Sequence, residues 1–509
     1  MAHLPLLAVL VPLSTAALML LVERRGILAQ RALGWTGMAL LLAVAVALVA
    51  RADRGGIDMV LLGDWPARLG IALVADRLSA LMVLTTALLA TASLLYASTG
   101  WDRRALHFHA LFPLQLAGLN GAFLTGDLFN LFVFFEVMLI ASYGLLLSGG
   151  RGPRMRAGLH YVVFNITAST LFLIALGLLY GLLGTLNMAE MALRVATADP
   201  AKTGLIRAAS GLLLVVFAAK AALLPLYLWL PNAYSRAPAA VAALFAIMTK
   251  VGVYGVLRVY TLVFGAQAGL LAGWAWDWLL PAGAVTLVLA SFGALAASTM
   301  RMQVAYLVIA SAATLFIAFA LATEASIAAG LYYLMHSTFI AAALFLIVDL
   351  IGQQRGRRGD QLDSAGPLRH AGVLGMLFGL AAVSIVGLPP LSGFVGKLML
   401  LDAVPPGLRT PLWAVVLVTS LMALGALART ASQVFWRAES WPERAKRPPR
   451  PQRLQLAAAL LLVGYGVSMV VAGGPVVAYA QATAAQLLDP AAYVQAAHRA
   501  VPQRRAPSP

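Results

Sequence analysis

An all-α polytopic membrane protein of about fourteen transmembrane helices is the fold this sequence predicts, and three observations predict it. The first is composition. Of 509 residues 61% are hydrophobic and only 11% charged, with a mean hydropathy of +0.88, whereas an ordinary soluble domain carries about a quarter charged residues. The second is periodic punctuation: apolar runs near the length of about 20 residues that spans a bilayer recur along the chain, separated by charge or by Pro and Gly. The third is where the charge falls. The 36 Lys and Arg against 19 Asp and Glu give +17, and most of the excess sits in short loops, as the positive-inside rule expects. A cytosolic enzyme, a nucleic-acid module and a disordered regulator are excluded, so no nucleic-acid partner is expected. The chain has no cysteine, which removes disulfides, thiolate chemistry, iron–sulfur clusters and Cys-based zinc sites.

The elements follow in order. The run from His3 to Val22 has no small-residue cleavage site and is followed by Glu23, Arg24 and Arg25, so it reads as a true span and not as a signal peptide. Further spans are expected near 31–50, 77–98, 106–125, 128–148, 158–183, 207–230, 238–262, 272–297, 301–322, 325–350, 371–401, 411–436 and 454–474. Alternate loops then separate the basic residues. One side collects twenty, from Arg24 and Arg25 through Arg103, Arg154, Arg236, Arg301 and Arg355 to Arg444, Lys446, Arg447, Arg450 and Arg453; the other holds eight, among them Arg51, Arg68, Arg194 and Arg409. This places both termini outside the cytoplasm. Residues 475–500 read as an interfacial helix, and the tail from Pro502 reads as disordered.

Two spans differ from the rest. In the seventh, Phe217–Lys220 is followed by Pro225 and Pro231; in the twelfth, Gly387, Pro389 and Pro390 precede Lys397. Proline frees a carbonyl and unwinds the helix, which is tolerated in a membrane where the backbone is buried in protein or lines water. A simple kink is the alternative. Five spans separate the two, an odd number, so they cross in opposite directions, as expected of an inverted repeat of two five-helix halves. The organisation expected is N-terminal helices over 1–105, a first repeat over 106–262, a second over 272–436, and a basic loop, last helix and tail over 437–509.

Five ionisable residues lie near the middle of the spans: Glu136, Lys220, Lys250, His336 and Lys397. A charge near the bilayer centre costs from about 2.5 to well over 10 kcal/mol, so each needs a reason to be there. Buried ion pairs that lock helices together are one reading. One carboxylate cannot neutralise three lysines, however, so part of the set is uncharged or hydrated at rest. Desolvation disfavours the ammonium and a nearby carboxylate favours it; a Glu136–Lys220 pair that forms and separates would toggle the lysine. Lys250, His336 and Lys397 then read as stations on a hydrated proton path, although His336 beside Ser337 and Thr338 also suits a hydrogen-bonded packing role. Asp76 reads as a helix start, Asp127, Asp277 and Glu324 as solvated or capping, and Asp349 as a capping residue or part of a cytoplasmic access route. His107, His109, His160 and His370 make no metal cluster, and no phosphate loop, nucleophile elbow or HExxH is present. Neither a cofactor nor a metal is expected.

The stretches Leu131–Tyr143 around Glu136, Ala218–Tyr234 around Lys220 and Met248–Tyr254 around Lys250 resemble the proton-translocating antiporter-like subunits. That superfamily joins the large membrane-arm subunits of complex I with the large subunits of Mrp-type (Mnh or Pha) cation/proton antiporters. The resemblance runs from about the third to the thirteenth span. It implies that Glu136 and Lys220 form the switching pair, that Lys250 passes the proton to the centre, and that Lys397 opens the exit side. Leu331–Phe345, with His336, and Ala428–Arg437 look like the D-type branch of the Mrp antiporter subunits. The largest complex I relative usually has a lysine four residues after this histidine, where Ile340 stands here, which leaves the central relay to His336 and water. The resemblance implies a transporter subunit, not an enzyme, working with other subunits of a hetero-oligomeric complex in the lipid of a bacterial inner membrane, with protons and Na⁺ or K⁺ as cargo. A membrane-arm subunit of a redox-driven pump, complex I-like or hydrogenase-like, is the alternative. A polytopic lipid-modifying enzyme would need acidic or His clusters in the loops, which are short and basic.

Overall fold

In a computed structural model, residues 3–65, 70–150, 152–363, 366–437 and 451–500 are described. Arg68, Arg151, Arg444, Lys446, Arg447 and Arg450 of the charge count, and the tail from Pro502, lie outside these residues. The chain opens with α1 (Leu4–Val22) and α2 (Ile27–Ala52), then a short antiparallel hairpin of β1 (Asp58–Leu61) and β2 (Ala72–Ala75). There follow α3 (Arg77–Ala97), α4 (Phe108–Leu124), α5 (Leu128–Leu147), α6 (Pro153–Leu183), α7 (Met188–Ala196) and α8 (Pro200–Ala221). The middle of the chain forms α9 (Trp229–Arg236), α10 (Ala239–Phe245), α11 (Met248–Leu262), α12 (Trp276–Ala296), α13 (Met300–Ala320) and α14 (Glu324–Gln354). It closes with α15 (Ala371–Val386), α16 (Ser392–Asp402), α17 (Arg409–Ala431), α18 (Arg453–Val471), α19 (Gly473–Leu488) and α20 (Pro490–Arg499).

Helix starts are written in short polar side chains. Asp76 and Ser79 form a reciprocal cap on α3, Thr323 and Ser326 do the same on α14, and Asp127, Asn187, Asp199 and Thr299 cap α5, α7, α8 and α13; each occupies donors the first turn would otherwise leave bare. Twelve helical stretches among the described residues are long and apolar enough to cross a membrane. At the positions of the other two expected spans lie α4, of 17 residues, and the pair α15 and α16.

Both expected interruptions are present. α8 stops at Ala221, with Ala222 left-handed at φ +61° and Pro225 after it, and α15 stops at Gly387, φ +87°, before Pro389 and Pro390. A third break, between α10 and α11 at Ala246–Ile247, carries no proline or glycine and was not expected. Residues 475–500 fall in α19 and α20; α19 packs on α14, α3 and α11, and α20 on α7 and β1.

The core lies where polar groups will matter. The most apolar window of α10–α11 is wholly buried, while that of α2 is only 28% buried. α3, α13 and α14 are likewise mostly buried, and α1, α2, α6, α12, α17 and α18 form the rim.

Candidate functional site: a row of charges across packed helices

Glu136 lies midway along α5, half-buried, and Lys220 lies one residue from the end of α8, buried. They are joined through a third residue. Lys220 Nζ donates to Ser169 Oγ of α6 at 3.2 Å, and the same hydroxyl donates to Glu136 Oε1. A serine hydroxyl gives and accepts at once, so the ammonium and the carboxylate share a polar bridge. The ammonium also sits 5.1 Å from the centre of the Phe135 ring, a cation–π contact that partly replaces lost hydration.

Lys250 falls in the first turn of α11, directly after the unexpected break, and is fully buried. Its Nζ donates to Ser311 Oγ of α13 at 2.9 Å. α11 reaches α8 closely because Gly252 stands where a β-carbon would meet Ala221 N at 2.7 Å and Phe217 O at 2.8 Å. The helices of Lys220 and Lys250 therefore touch backbone to backbone.

His336, at the middle of α14, is fully buried; its Nδ1 lies 2.9 Å from Ser392 Oγ, at the first turn of α16. Its Nε2 has no hydrogen-bond partner among the described residues and faces Gly393. Any β-carbon at Gly393 would lie 2.9 Å from that nitrogen and 1.8 Å from Ser384 O, so the two halves of the broken span pass each other here with room for hydrogen only.

Lys397 follows five residues later on α16. Its Nζ donates to Val386 O at 2.7 Å and to Ser420 Oγ of α17 at 2.7 Å. Val386 is the last residue of α15, and its carbonyl is one that the break leaves without a helical partner. The interruption thus supplies a ligand for the ammonium.

The helices that carry these residues pack in series: α5 on α6, α6 on α8, α8 on α11, α11 on α13, α13 on α14, α14 on α16 and α16 on α17. All five sequence-predicted residues lie on this row. Hydrogen bonds join Glu136 and Lys220 through Ser169, while Lys250, His336 and Lys397 each bond a serine and not one another. The four serines were missed by sequence reasoning. Their one available signal is that each lies in a predicted span, where a hydroxyl is cheap, so nothing in a single sequence separates them from other span serines.

Arg258 was missed as well. It lies eight residues beyond Lys250 on α11, buried, and donates to Asp76 Oδ2 at 2.6 Å and Oδ1 at 2.8 Å. Asp76 does start α3, as expected, but it is also half of a buried bidentate pair. Tyr254 lies between Lys250 and Arg258 on the same helix face; it accepts from Arg258 Nε at 3.3 Å and donates to Phe123 O at 2.6 Å. Asp349 pairs with Arg301 and accepts from Tyr96 Oη at 2.5 Å. In the loop before α4, Asp102 accepts from Arg31 at 2.7 and 2.9 Å and lies 3.1 Å from His109 Nε2. Burial pushes this carboxyl up, but the bonds and charges of His109 and Arg31 outweigh burial and hold it at about 2.

Residues 125–424 match the family described as NADH:quinone oxidoreductase/Mrp antiporter, TM. Over 96% of both chains the sequence is 38% identical to the D-type subunit of a probable K⁺/H⁺ antiporter of Rhizobium meliloti (strain 1021). It is 35% identical to the D-type subunit of the Na⁺/H⁺ antiporter of Bacillus subtilis (strain 168), over 96% of this chain and 98% of that one. Among solved structures, a chain of the Mrp complex from Dietzia sp. DQ12-45-1b superposes with a TM-score of 0.86 at 29% identity, covering 97% of this chain and 99% of that one. The chain is a multi-pass membrane protein and belongs to the NADH:quinone oxidoreductase/Mrp antiporter transmembrane family.

Proposed function

We propose that this chain is the proton-translocating subunit of a multisubunit antiporter that uses inward proton movement to expel Na⁺ or K⁺. The observation that carries the reading is the row of packed helices with a carboxylate at one end, three lysines and a histidine along it, and a serine on each lysine. The D-type antiporter relatives support this assignment over a redox-driven pump, the alternative from the same superfamily.

The Ser169 bridge gives the first step a physical form. With Glu136 ionised and Lys220 an ammonium, the two charges attract through the hydroxyl. If the ammonium gives its proton to Ser169 as Ser169 gives its own to Glu136, both groups become neutral and two buried charges disappear. Desolvation favours that neutral state and water entering the site favours the charged one. Lys250 has a hydroxyl but no carboxylate, so its charge answers to that of Lys220 on the adjoining helix, because like charges in a low-dielectric interior repel strongly. His336 has one nitrogen on Ser392 and one free for a proton. Lys397 closes the series.

The reading includes fourteen crossings, with α4 and the α15–α16 pair as the fourth and twelfth, and two inverted five-helix repeats over 106–262 and 272–436. It places the chain in a bacterial inner membrane with both termini outside, among lipids and other subunits of a hetero-oligomer. The test is cation-driven dissipation of a proton gradient in vesicles holding the whole operon-encoded complex, without an electron donor, for wild type, Lys220→Ala and Glu136→Ala. Exchange in the wild type and none in assembled variants is expected. No exchange in the wild type until a donor is added would favour the redox pump, and equal exchange in all three would reduce the pair to packing.

A further inference from the structure

The basic loops do more than bias charge: they build a cavity. Between the starts of α6 and α13 and the end of α9 lies an open cavity of about 430 Å³ lined by Arg154, Arg236 and Arg301 together with Ser235, Thr299 and one carboxylate, Asp360. A second depression, with Arg156 and His160, shares Pro153 and Arg236 with the first. Three guanidinium groups around one space repel each other unless something negative occupies it.

The protein sets two carboxylates against the three guanidinium groups, Asp360 on the lining and Asp349 on Arg301. Arg301 pairs with Asp349 through one terminal nitrogen, but its Nε is buried with no hydrogen-bond partner. Arg154 donates to the backbone carbonyls of Arg236 and Ser148 and lies over the Trp101 ring, and it forms no ion pair with a carboxylate among the described residues. Arg236 is exposed, and its guanidinium makes neither a hydrogen bond nor an ion pair among the described residues.

A hydrophobic track leads away from this charge. Met155, Leu159, Val163, Ile166 and Leu173 are exposed at helical spacing on α6, the helix whose first turn carries Arg154 and Arg156. A phosphate beside an apolar ridge is the chemistry of a phospholipid.

We propose that this cavity binds the phosphate headgroup of an anionic phospholipid, with the acyl chains lying along the outer face of α6. Arginine is suited to it, since its planar fork takes two phosphate oxygens at once, and basic pockets between transmembrane helices are known hosts for anionic headgroups. Inorganic phosphate shares the headgroup chemistry but has no use for the ridge.

Native mass spectrometry of the purified whole complex in detergent, titrated with phosphatidylglycerol, tests this. Phosphatidylglycerol binding is expected to weaken about five-fold in Arg236→Gln and about twenty-five-fold in Arg154→Gln/Arg236→Gln, with subunit composition unchanged, phosphatidylcholine bound poorly and excess inorganic phosphate failing to compete. Arg236→Gln touches no internal contact, so it reads out even if the double variant fails to assemble. Equal phosphatidylglycerol binding in wild type and Arg236→Gln would overturn the proposal. Full displacement by inorganic phosphate would make this a free-anion site, and loss of a partner subunit with lipid binding unchanged would make it a protein interface; either result overturns the lipid assignment.

Discussion

The Lys220 ammonium meets Ser169 at 3.2 Å, and the same hydroxyl donates to Glu136, so the two charged residues are linked by a relay and not by direct contact. Ser169→Ala should therefore lower exchange by about ten-fold or more, because one buried hydrogen-bond partner is worth about 1–3 kcal/mol and the proposed proton route runs through this hydroxyl. Ser169→Thr keeps the hydroxyl and should retain most of the activity. The check is the rate of cation-driven gradient dissipation at equal complex content. An alanine variant as active as wild type would show that Glu136 and Lys220 communicate by another way.

Gly393 gives a steric prediction. A methyl group there would overlap Ser384 O and press on His336 Nε2, and overpacking of a tight core costs about 1–3 kcal/mol or more. Gly393→Ala should abolish exchange and lower the thermal stability of the complex. Ser392→Ala removes only the bond to His336 Nδ1 and causes no overlap, so it should slow exchange with a smaller fall in melting temperature than Gly393→Ala. The two are separated by measuring both quantities on each variant.

Much of this architecture was legible before any coordinates. Hydropathy marks the spans because each must cover about 30 Å of hydrocarbon, and the breaks after Lys220 and before Lys397 announce themselves through Pro225, Gly387, Pro389 and Pro390. The break before Lys250 does not, because Ala246 and Ile247 are ordinary helix residues with no proline or glycine at the break. The five ionisable residues stand out because charge in a span is expensive, whereas Ser169, Ser311, Ser392 and Ser420 are inconspicuous until the fold sets each against its partner. Arg258, four residues from the end of α11, draws no attention in the sequence, and the fold turns it inward onto Asp76.

That inward turn has an energetic consequence. Arg258 and Asp76 are both nearly inaccessible, so removing one partner leaves a buried charge uncompensated, at a cost of about 3–5 kcal/mol, while replacing both by apolar groups costs much less. Arg258→Met should sharply reduce the yield and melting temperature of the complex. Asp76→Asn/Arg258→Met, which keeps an acceptor to cap α3, should recover most of the loss. If the double variant is no more stable than the single one, the pair is not coupled in the way its geometry implies.

Asp102 provides the pH dependence. Its folded-state value, about 2, lies below the unfolded value of about 3.9, so the cluster with Arg31 and His109 contributes stability that is complete above about pH 5 and is lost as pH falls through about 2. The shift corresponds to about 2 kcal/mol. Because the carboxylate ties α2 and α4 to the loop between α3 and α4, the loss should appear as loosening of the N-terminal helices. Melting temperatures of the wild-type complex and Asp102→Asn, followed from pH 6 to pH 2.5, provide the measurement. The variant should begin lower and fall less steeply, and the two curves should converge at the acid end. Parallel curves across the range would show that Asp102 takes up no proton in that window and that its bonds to Arg31 and His109 do not govern acid stability.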